Sequence, residues 1–140
     1  MAKVQSQSTS SPNSMAQWAA IAALDGPIDF IAENCCAFAA RRRLVCDALN
    51  AMSGVSCAAP DGAFYVYPSV SGLIGKKQPD GQVIETDADF VRYLLEAGEV
   101  AVVPGIAFGL SPYFRISYAA SDEVLTEAMA RISRVVDRLS

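Results

Sequence analysis

The segment VAVVPGIAFG over residues 100–109, followed by FRISYA over residues 114–119, decides the fold of this chain. An apolar run rich in β-branched residues stops at a Pro-Gly pair, and an alternating segment follows after a short loop. This order predicts two strands joined by a glycine-flanked connection. Because side chains alternate along a strand, we expect Phe114, Ile116 and Tyr118 to share one face of the second strand.

Arg115 is expected on the opposite face of the second strand, and it is the only charged residue between Val100 and Ala120. Ser117 and Ala119 share that face and are small, so the guanidinium stays accessible. A guanidinium can hold a planar anion such as a carboxylate through two parallel hydrogen bonds. The pattern leaves two interpretations open, a carboxylate-binding residue or a strand arginine on a solvated sheet face.

The N-terminal third of the chain is predicted to be helical after a polar start. Residues 1–13 are rich in serine, and we expect them to form an extended or disordered arm. Ser14 is a candidate N-cap, with Gln17 completing a capping box, and this helix stops before Pro27. A second, long helix begins there and ends before Gly54, because apolar residues recur at three- and four-residue steps.

The rest of the chain alternates short strands with helices. Residues 55–57 and 63–67 are predicted strands, and residues 69–85 form a loop that is either a surface flap or an irregular hairpin. Two further helices follow, with Thr86 and Ser121 as their N-caps and acidic residues in their first turns. Gly98 is expected to end the first of these two helices.

This order of elements predicts an α+β fold, a small and largely antiparallel sheet packed by helices on one face. We expect a polar arm over residues 1–13 and one domain over residues 14–140 that includes the long connecting helix. A chain of 140 residues has the length of one ordinary domain. Its apolar fraction of 52% indicates surface that packs against something else.

Composition excludes several kinds of site. The sequence contains no histidine, which excludes a Ser-His-Asp triad and leaves a zinc site improbable. The net charge of −4, without a basic stripe, argues against a nucleic-acid partner, and no segment is apolar enough to predict a membrane span. Four cysteines without C-x-x-C spacing are expected to be reduced packing thiols of a cytoplasmic protein: Cys35, Cys36, Cys46 and Cys57. We therefore expect no metal site and no complete catalytic machinery.

Four motifs carry a resemblance to a known family. They are QSQSTSSP at residues 5–12, QWAA at 17–20 followed by Ala23-Leu24, PDGAFY at 60–65, and VVPGIAFG at 102–109 with FRISYA after it. In this order the chain resembles the C-terminal part of the class I pyridoxal-phosphate-dependent aminotransferases, especially the bacterial aspartate aminotransferases. The resemblance extends from about Gln5 to Arg138.

The resemblance implies a role for Arg115 that the pattern alone left open. In this family the arginine of that strand forms a bidentate pair with the α-carboxylate shared by amino-acid and 2-oxo-acid substrates. Such a clamp fixes the orientation of the substrate before the chemical step. Pyridoxal 5'-phosphate would supply the electron sink, and the protein would supply position and charge. Phe108 is expected beside the substrate cleft or in the core.

The resemblance also implies that much of the family's machinery lies outside this sequence. The Schiff-base lysine, the acid that pairs with the pyridine nitrogen and most phosphate contacts have no counterpart here. The lysines Lys3, Lys76 and Lys77 do not lie in the family's Ser-x-x-Lys context. We expect a C-terminal fragment that is inactive and binds no cofactor alone, and whose intact enzyme adds a large domain and forms a homodimer.

Three hydroxyls of the arm are candidates for a second contact. The resemblance implies that Thr9, Ser10 or Ser11 could reach the cofactor phosphate of a partner subunit, and the alternative is a polar connector. Two further functions stay open at this point, a stand-alone α+β module that binds an amino acid through Arg115 and a dimerisation domain. The aminotransferase hypothesis predicts a cofactor lysine encoded upstream of Met1. Both alternative hypotheses predict a complete domain that starts at Met1.

Overall fold

The computed structural model describes residues 1–9 and 11–140, which divide into two compact units, Met1–Asn34 and Cys35–Ser140. Over these residues the structure has five α-helices and three β-strands. The helices are α1 (Ala2–Ser8), α2 (Ser14–Asp25), α3 (Asp29–Asn50), α4 (Asp87–Gly98) and α5 (Asp122–Val136). The strands are β1 (Tyr65–Val66), β2 (Val103–Pro104) and β3 (Phe114–Ser117).

The first unit is helical from its second residue, so the expectation of an extended arm is wrong over Ala2–Ser8. The serines that argued against a helix are satisfied within it. The hydroxyls of Ser6 and Ser8 donate to the carbonyls of Lys3 and Val4, at 3.0 and 2.9 Å. These bonds follow the i to i−3 and i−4 pattern that lets serine sit inside a helix.

The N-cap of helix α2 lies one position before the predicted one. Asn13, not Ser14, is the N-cap, and its Oδ1 accepts a hydrogen bond from the Ala16 amide at 2.8 Å. Gln17 donates its side-chain amide to the Pro12 carbonyl instead of closing a capping box. Asparagine and serine are comparable N-caps, so sequence preference could not separate the two positions.

The sheet of the second unit has the order β1-β3-β2, and both strand pairs are antiparallel. This confirms the predicted fold class. The first strand is shorter than predicted. It covers only Tyr65–Val66 of the expected segment 63–67. The predicted strand at 55–57 is reduced to an isolated bridge between Ser56 and Ser69.

The core lies entirely within the second unit and uses the predicted face of β3. Phe114 is fully buried, and Ile116 and Tyr118 are nearly so. Helices α4 and α5 pack against each other, and α4 also contacts β2. Helix α5 contributes five buried residues: Leu125, Met129, Ile132, Val135 and Val136.

Residues 69–85 form an irregular hairpin, one of the two arrangements that the sequence left open. An isolated bridge joins Lys77 to Val83, and the backbone of Lys77 exchanges two hydrogen bonds with Ser140, at 2.9 and 3.0 Å. Leu73 and Ile84 have no exposed surface. This segment is therefore anchored in the core and is not a free flap.

The predicted caps of α4 and α5 are confirmed, but the end of α4 differs. Thr86 and Asp89 form a reciprocal capping box, and the Ser121 hydroxyl accepts from the Val124 amide. Gly98 remains inside α4, and Glu99 takes the left-handed cap position at φ 55°. A Cβ on Gly98 would lie 2.9 Å from Val135 Cγ2, so this glycine permits close packing of α4 on α5.

Among the described helices, none is both long enough and apolar enough to cross a membrane.

Candidate functional site

Arg115 lies in the middle of β3, half-buried, opposite Val103 of β2. Its guanidinium carbon lies 4.4 Å from the ring centre of Phe108 and 5.5 Å from that of Tyr65. Aromatic faces attract a guanidinium through their quadrupole and leave the edge with its N–H donors free. The two rings therefore hold the cation without consuming its capacity to bind an anion.

No carboxylate within the described residues neutralises Arg115. The ion pairs of this structure use four other arginines instead: Arg41, Arg92, Arg131 and Arg134. Within residues 1–9 and 11–140, the Arg115 guanidinium likewise donates no hydrogen bond. A half-buried arginine with aromatic packing but without an internal acid is suited to an external anion.

Small residues were predicted around Arg115, and its aromatic neighbours come from other segments. Tyr67 stacks on Tyr113 with ring centres 5.4 Å apart and planes 12° apart. The same Tyr67 meets Phe108 edge to face at 6.3 Å. The alternation of Tyr65 and Tyr67 along one predicted strand was the available signal, because residues two apart share a face.

The loop between β2 and β3 presents Phe108 to Arg115. Its first part is a short 3₁₀ helix, Gly105–Phe108, which ends at Gly109 in the left-handed conformation with φ 76°. The Gly105 amide donates to the Tyr113 carbonyl at 2.7 Å, which ties the start of the loop to the residue before β3. A Cβ on Gly105 would lie 2.2 Å from the Leu110 carbonyl oxygen, so this position accepts only glycine.

Two side chains from outside the loop hold it. The Tyr67 hydroxyl oxygen lies 3.0 Å from the Gly105 carbonyl oxygen and 3.1 Å from that of Leu110, and its proton is shared between them. Asp87, at the first position of α4, accepts a hydrogen bond from the Ile106 amide at 2.9 Å. Asp87 is 1% exposed and is the one buried polar or charged side chain in the described part of the chain.

The pKa of the Tyr67 hydroxyl responds to the charges of both Asp87 and Arg115. Burial raises the pKa of the Tyr67 hydroxyl, the Asp87 carboxylate raises it further, and the Arg115 guanidinium lowers it. The net effect is a raised pKa, so the hydroxyl keeps its proton at neutral pH and remains a donor to the loop carbonyls. Asp87 was predicted only as part of the acidic first turn of α4, and no pattern in the sequence indicates its burial.

The candidate cofactor contacts do not assemble into a site within this chain. The Thr9 hydroxyl donates to the Gln5 carbonyl of its own helix at 2.9 Å, Ser11 is exposed, and Ser10 lies outside the described residues. The Lys76 amine lies 3.4 Å from the Leu139 carbonyl. The described residues among them do not by themselves form a site that fits pyridoxal phosphate. No cluster of metal-ligating side chains occurs within residues 1–9 and 11–140.

Comparison with known proteins finds one family across almost the whole chain. The family model described as "Aminotransferase class I and II" matches residues 1–132. An aspartate aminotransferase of Rhizobium meliloti (strain 1021) is 55% identical over 140 residues, which is 100% of this chain and 34% of that protein. A probable aspartate/prephenate aminotransferase of Rhizobium leguminosarum bv. phaseoli is 59% identical over 134 residues, 96% of this chain and 34% of that protein.

Solved structures agree in fold. The crystal structure of the aspartate aminotransferase from Rhizobium meliloti superposes with a TM-score of 0.94 at 54% identity, over 99% of this chain and 35% of that one. The aspartate aminotransferase from Thermus thermophilus with maleate gives a TM-score of 0.80 at 38% identity, over 96% and 33% of the two chains.

The chain thus spans about a third of the length of the relatives it matches. The family model nevertheless covers nearly all of its residues, and the segments that it covers include Arg115 and the loop that packs on it. This protein chain belongs to the class I and II aminotransferases.

Proposed function

We propose that this chain is the C-terminal part of a pyridoxal-phosphate-dependent aminotransferase in which Arg115 binds the α-carboxylate of the substrate. The proposed donor is aspartate, with a 2-oxo acid such as 2-oxoglutarate as acceptor. The names of the similar proteins, aspartate and aspartate/prephenate aminotransferases, support a dicarboxylic substrate.

The observation that carries the proposal is the state of the Arg115 guanidinium. It is half-buried, packed against two aromatic rings, and without a carboxylate partner among the described residues. An unpaired cation in such a place has lost part of its hydration, and it regains that stabilisation when a carboxylate accepts its two parallel N–H donors. A buried structural arginine would instead be expected to have an acid beside it.

The chain's own contribution to the reaction is therefore binding and orientation. The rigid plane of the guanidinium fixes the plane of the α-carboxylate, which leaves the substrate's Cα one orientation relative to the strand. Phe108 covers one region of the guanidinium and limits its access to water, which strengthens the electrostatic attraction. The remaining groups needed for the reaction belong to the proposed upstream part of the protein.

The decisive experiment is the kinetics of Arg115→Leu and Arg115→Lys in the full-length enzyme. A desolvated carboxylate pair is worth about 2–5 kcal/mol. We therefore expect kcat/KM to fall roughly thirtyfold to a few thousandfold for Arg115→Leu. Lysine should restore only part of the loss, because an ammonium cannot present two coplanar donors. Arg92→Leu, which removes an exposed arginine of α4, is the matched control.

The substrates tested separate the possible roles of Arg115. Because the α-carboxylate is common to all substrates, the loss should be similar for a dicarboxylic and a monocarboxylic amino acid, and cofactor affinity should stay unchanged. A loss confined to the dicarboxylic substrate would assign Arg115 to the side-chain carboxylate. A loss of cofactor affinity would make it a phosphate ligand or a structural residue.

We also propose that the 140-residue chain has no transaminase activity by itself. It should incorporate no stoichiometric label when mixed with pyridoxal phosphate and reduced with borohydride, because none of its three lysines lies in the family's cofactor context. Stoichiometric labelling of Lys3, Lys76 or Lys77, mapped by mass spectrometry, would contradict this. The intact enzyme is proposed to be a cytoplasmic homodimer in which Thr9, Ser10 or Ser11 contacts the partner's cofactor phosphate.

A second candidate, a module that binds an amino acid without chemistry, is favoured by one feature. All buried apolar residues lie between Val45 and Leu139, so the second unit has a complete core of its own. Calorimetric titration of the 140-residue chain with maleate separates the two functions. Tight binding that Arg115→Leu abolishes would support the module, whereas absence of binding supports a site completed by a longer protein.

A further inference from the structure

Asp87 is a buried carboxylate that takes no part in capping its own helix. Helix α4 is capped by Thr86 and Asp89, each of which satisfies a backbone amide of the other. Asp87 follows the cap directly, yet it turns inward and is 1% exposed. A carboxylate is stabilised at the N-terminus of a helix, which lowers the cost of burying it there.

The partner of this carboxylate is the loop that carries Phe108. Asp87 Oδ2 accepts from the Ile106 amide at 2.9 Å, and this amide lies in the first turn of the 3₁₀ helix Gly105–Phe108. A hydrogen bond to an ionised acceptor is stronger than one between neutral groups. Asp87 therefore fixes the loop from the α4 side, while the Tyr67 hydroxyl fixes it from the β1 side.

The position of this loop determines what packs on Arg115. Phe108 is the last residue of the 3₁₀ helix, two residues after the amide that Asp87 binds. Its ring centre is 4.4 Å from the Arg115 guanidinium carbon, closer than the ring of Tyr65 at 5.5 Å. Phe108 is itself 49% exposed, so the core does not hold its ring in place. Apart from its edge-to-face contact with Tyr67 at 6.3 Å, the loop anchors set the position of this ring.

We propose that Asp87 is a positioning residue for carboxylate binding: it holds the 105–108 turn so that Phe108 keeps the Arg115 guanidinium in its binding orientation. This inference rests on the proposed function of Arg115. It assigns Asp87 no contact with substrate. Its effect passes through the Ile106 amide and Phe108, and preorganisation of this kind affects ligand affinity because less ordering remains for the binding step.

The test compares Asp87→Ala, Asp87→Asn and Asp89→Ala in the full-length enzyme, with maleate as the probe of the carboxylate site. Asp87→Ala should weaken maleate binding and raise KM by about five- to tenfold. This is less than the roughly tenfold or more that a hydrogen bond to a charged group is worth, because the effect reaches the site only through Phe108. The kcat of this variant should change less than KM. Asp87→Asn should stay within about twofold to threefold of the wild type, because an amide oxygen can still accept from Ile106.

Asp89→Ala is the matched control for loss of stability. It removes the capping box of the same helix, two residues away, and should lower the melting temperature without changing maleate affinity. If Asp87→Ala behaves like Asp89→Ala, with a lower melting temperature and unchanged affinity, Asp87 is only a structural tie and the inference is wrong.

A double-mutant cycle tests the route through Phe108. Phe108→Leu should weaken maleate binding, and Asp87→Ala should add less than about twofold in that background. This arm remains informative if Asp87→Ala fails to fold, because Phe108 is half-exposed and its replacement leaves the core intact. Unchanged affinity in Phe108→Leu, or fully additive effects in the cycle, would overturn the inference.

Amide hydrogen exchange separates failure of this inference from failure of the proposed function. In Asp87→Ala the Ile106 amide should lose protection while amides of β3 keep theirs. If Arg115→Leu binds maleate normally, the proposed function fails, whatever the exchange data show. If Arg115→Leu abolishes binding but Asp87→Ala leaves both affinity and Ile106 protection unchanged, only the role of Asp87 fails.

Discussion

Helices α2 and α5 have similar lengths but differ in how many of their side chains are buried. Helix α5 buries five apolar residues and carries charged residues on its outer side, including Glu127, Arg131 and Arg134. Helix α2 has no charged residue before Asp25 and buries none of its side chains. Trp18 is 72% exposed and Leu24 82% exposed. Apolar content alone therefore does not place a helix in a core, and a one-sided distribution does.

The largest expected effect tests this contrast with two aromatic residues. Phe114→Ala, in the core of the second unit, should destabilise the 140-residue chain by about 3–5 kcal/mol. Trp18→Ala, in α2, should change its stability by no more than about 0.5 kcal/mol, because the indole leaves little buried surface behind. Urea denaturation followed by circular dichroism measures both. A comparable loss for Trp18→Ala would show that α2 has a buried face after all.

The second prediction sharpens the contrast within the packed unit. Gly105→Ala should cost about 1–3 kcal/mol, because its Cβ would meet two carbonyl oxygens and the Tyr67 hydroxyl at 2.2–2.8 Å. Gly62→Ala is the control, since nothing lies within 4 Å of a Cβ at that position. Thermal melts of the two variants should differ clearly. Equal melting temperatures would mean that the 105–110 loop is not held as rigidly as its hydrogen bonds indicate.

The same contrast explains which features the sequence could predict. The apolar face of β3 follows from local periodicity and was predicted correctly, and the buried residues of α5 recur at helical spacing. The caps at Thr86 and Ser121 were also local signals. The periodicity of α2 does not report its exposure, because an evenly apolar helix carries no information about which side is covered.

In the candidate site, too, the sequence pattern identifies a residue but not the residues that surround it in space. Arg115 was identifiable as an isolated charge in an apolar segment. Its environment comes from residues distant in sequence, namely Tyr65 and Phe108 on the guanidinium and Asp87 on the loop. Burial of a carboxylate depends on which amide meets it in three dimensions, and no periodicity reports that pairing. The resemblance supplied a role for Arg115 but no role for Asp87.

The third prediction concerns the uncovered side of α2. Exposed apolar side chains of this size favour association, so the 140-residue chain should self-associate with increasing concentration. Leu24→Glu should shift the equilibrium towards monomer, because a carboxylate at an interface is costly to desolvate. Val124→Glu, on the exposed side of α5, is the control and should have no effect. Sedimentation velocity at several concentrations gives the answer, and a concentration-independent monomer would contradict the prediction.

The smallest expected effect is a pH dependence of the free energy of unfolding that comes from a buried thiol in the core. Burial, and then the Cys46 thiol 4.0 Å away, raise the pKa of Cys57 to about 12. The folded chain therefore keeps this proton at a pH where an unfolded cysteine, with a pKa of about 8.5, has lost it. The unfolded state binds fewer protons in this range, so stability falls as pH rises from about 8.5 towards 12.

Urea denaturation at pH 7.5 and 9.5 measures this loss, which should be about 1 kcal/mol for Cys57. Other groups also titrate in this range, and the raised pKa values of Tyr67 and Tyr93 act in the same direction. The comparison with Cys57→Ala isolates the thiol, because the variant should lose that part of the pH dependence and keep the rest.

Alkylation at neutral pH gives an independent measure of whether the two buried thiols are accessible. Cys35 and Cys36 are exposed and should react first, while Cys46 and Cys57 react only on unfolding. Equal alkylation rates for all four thiols, or an unchanged pH dependence in Cys57→Ala, would show that the pair is not held in a closed core.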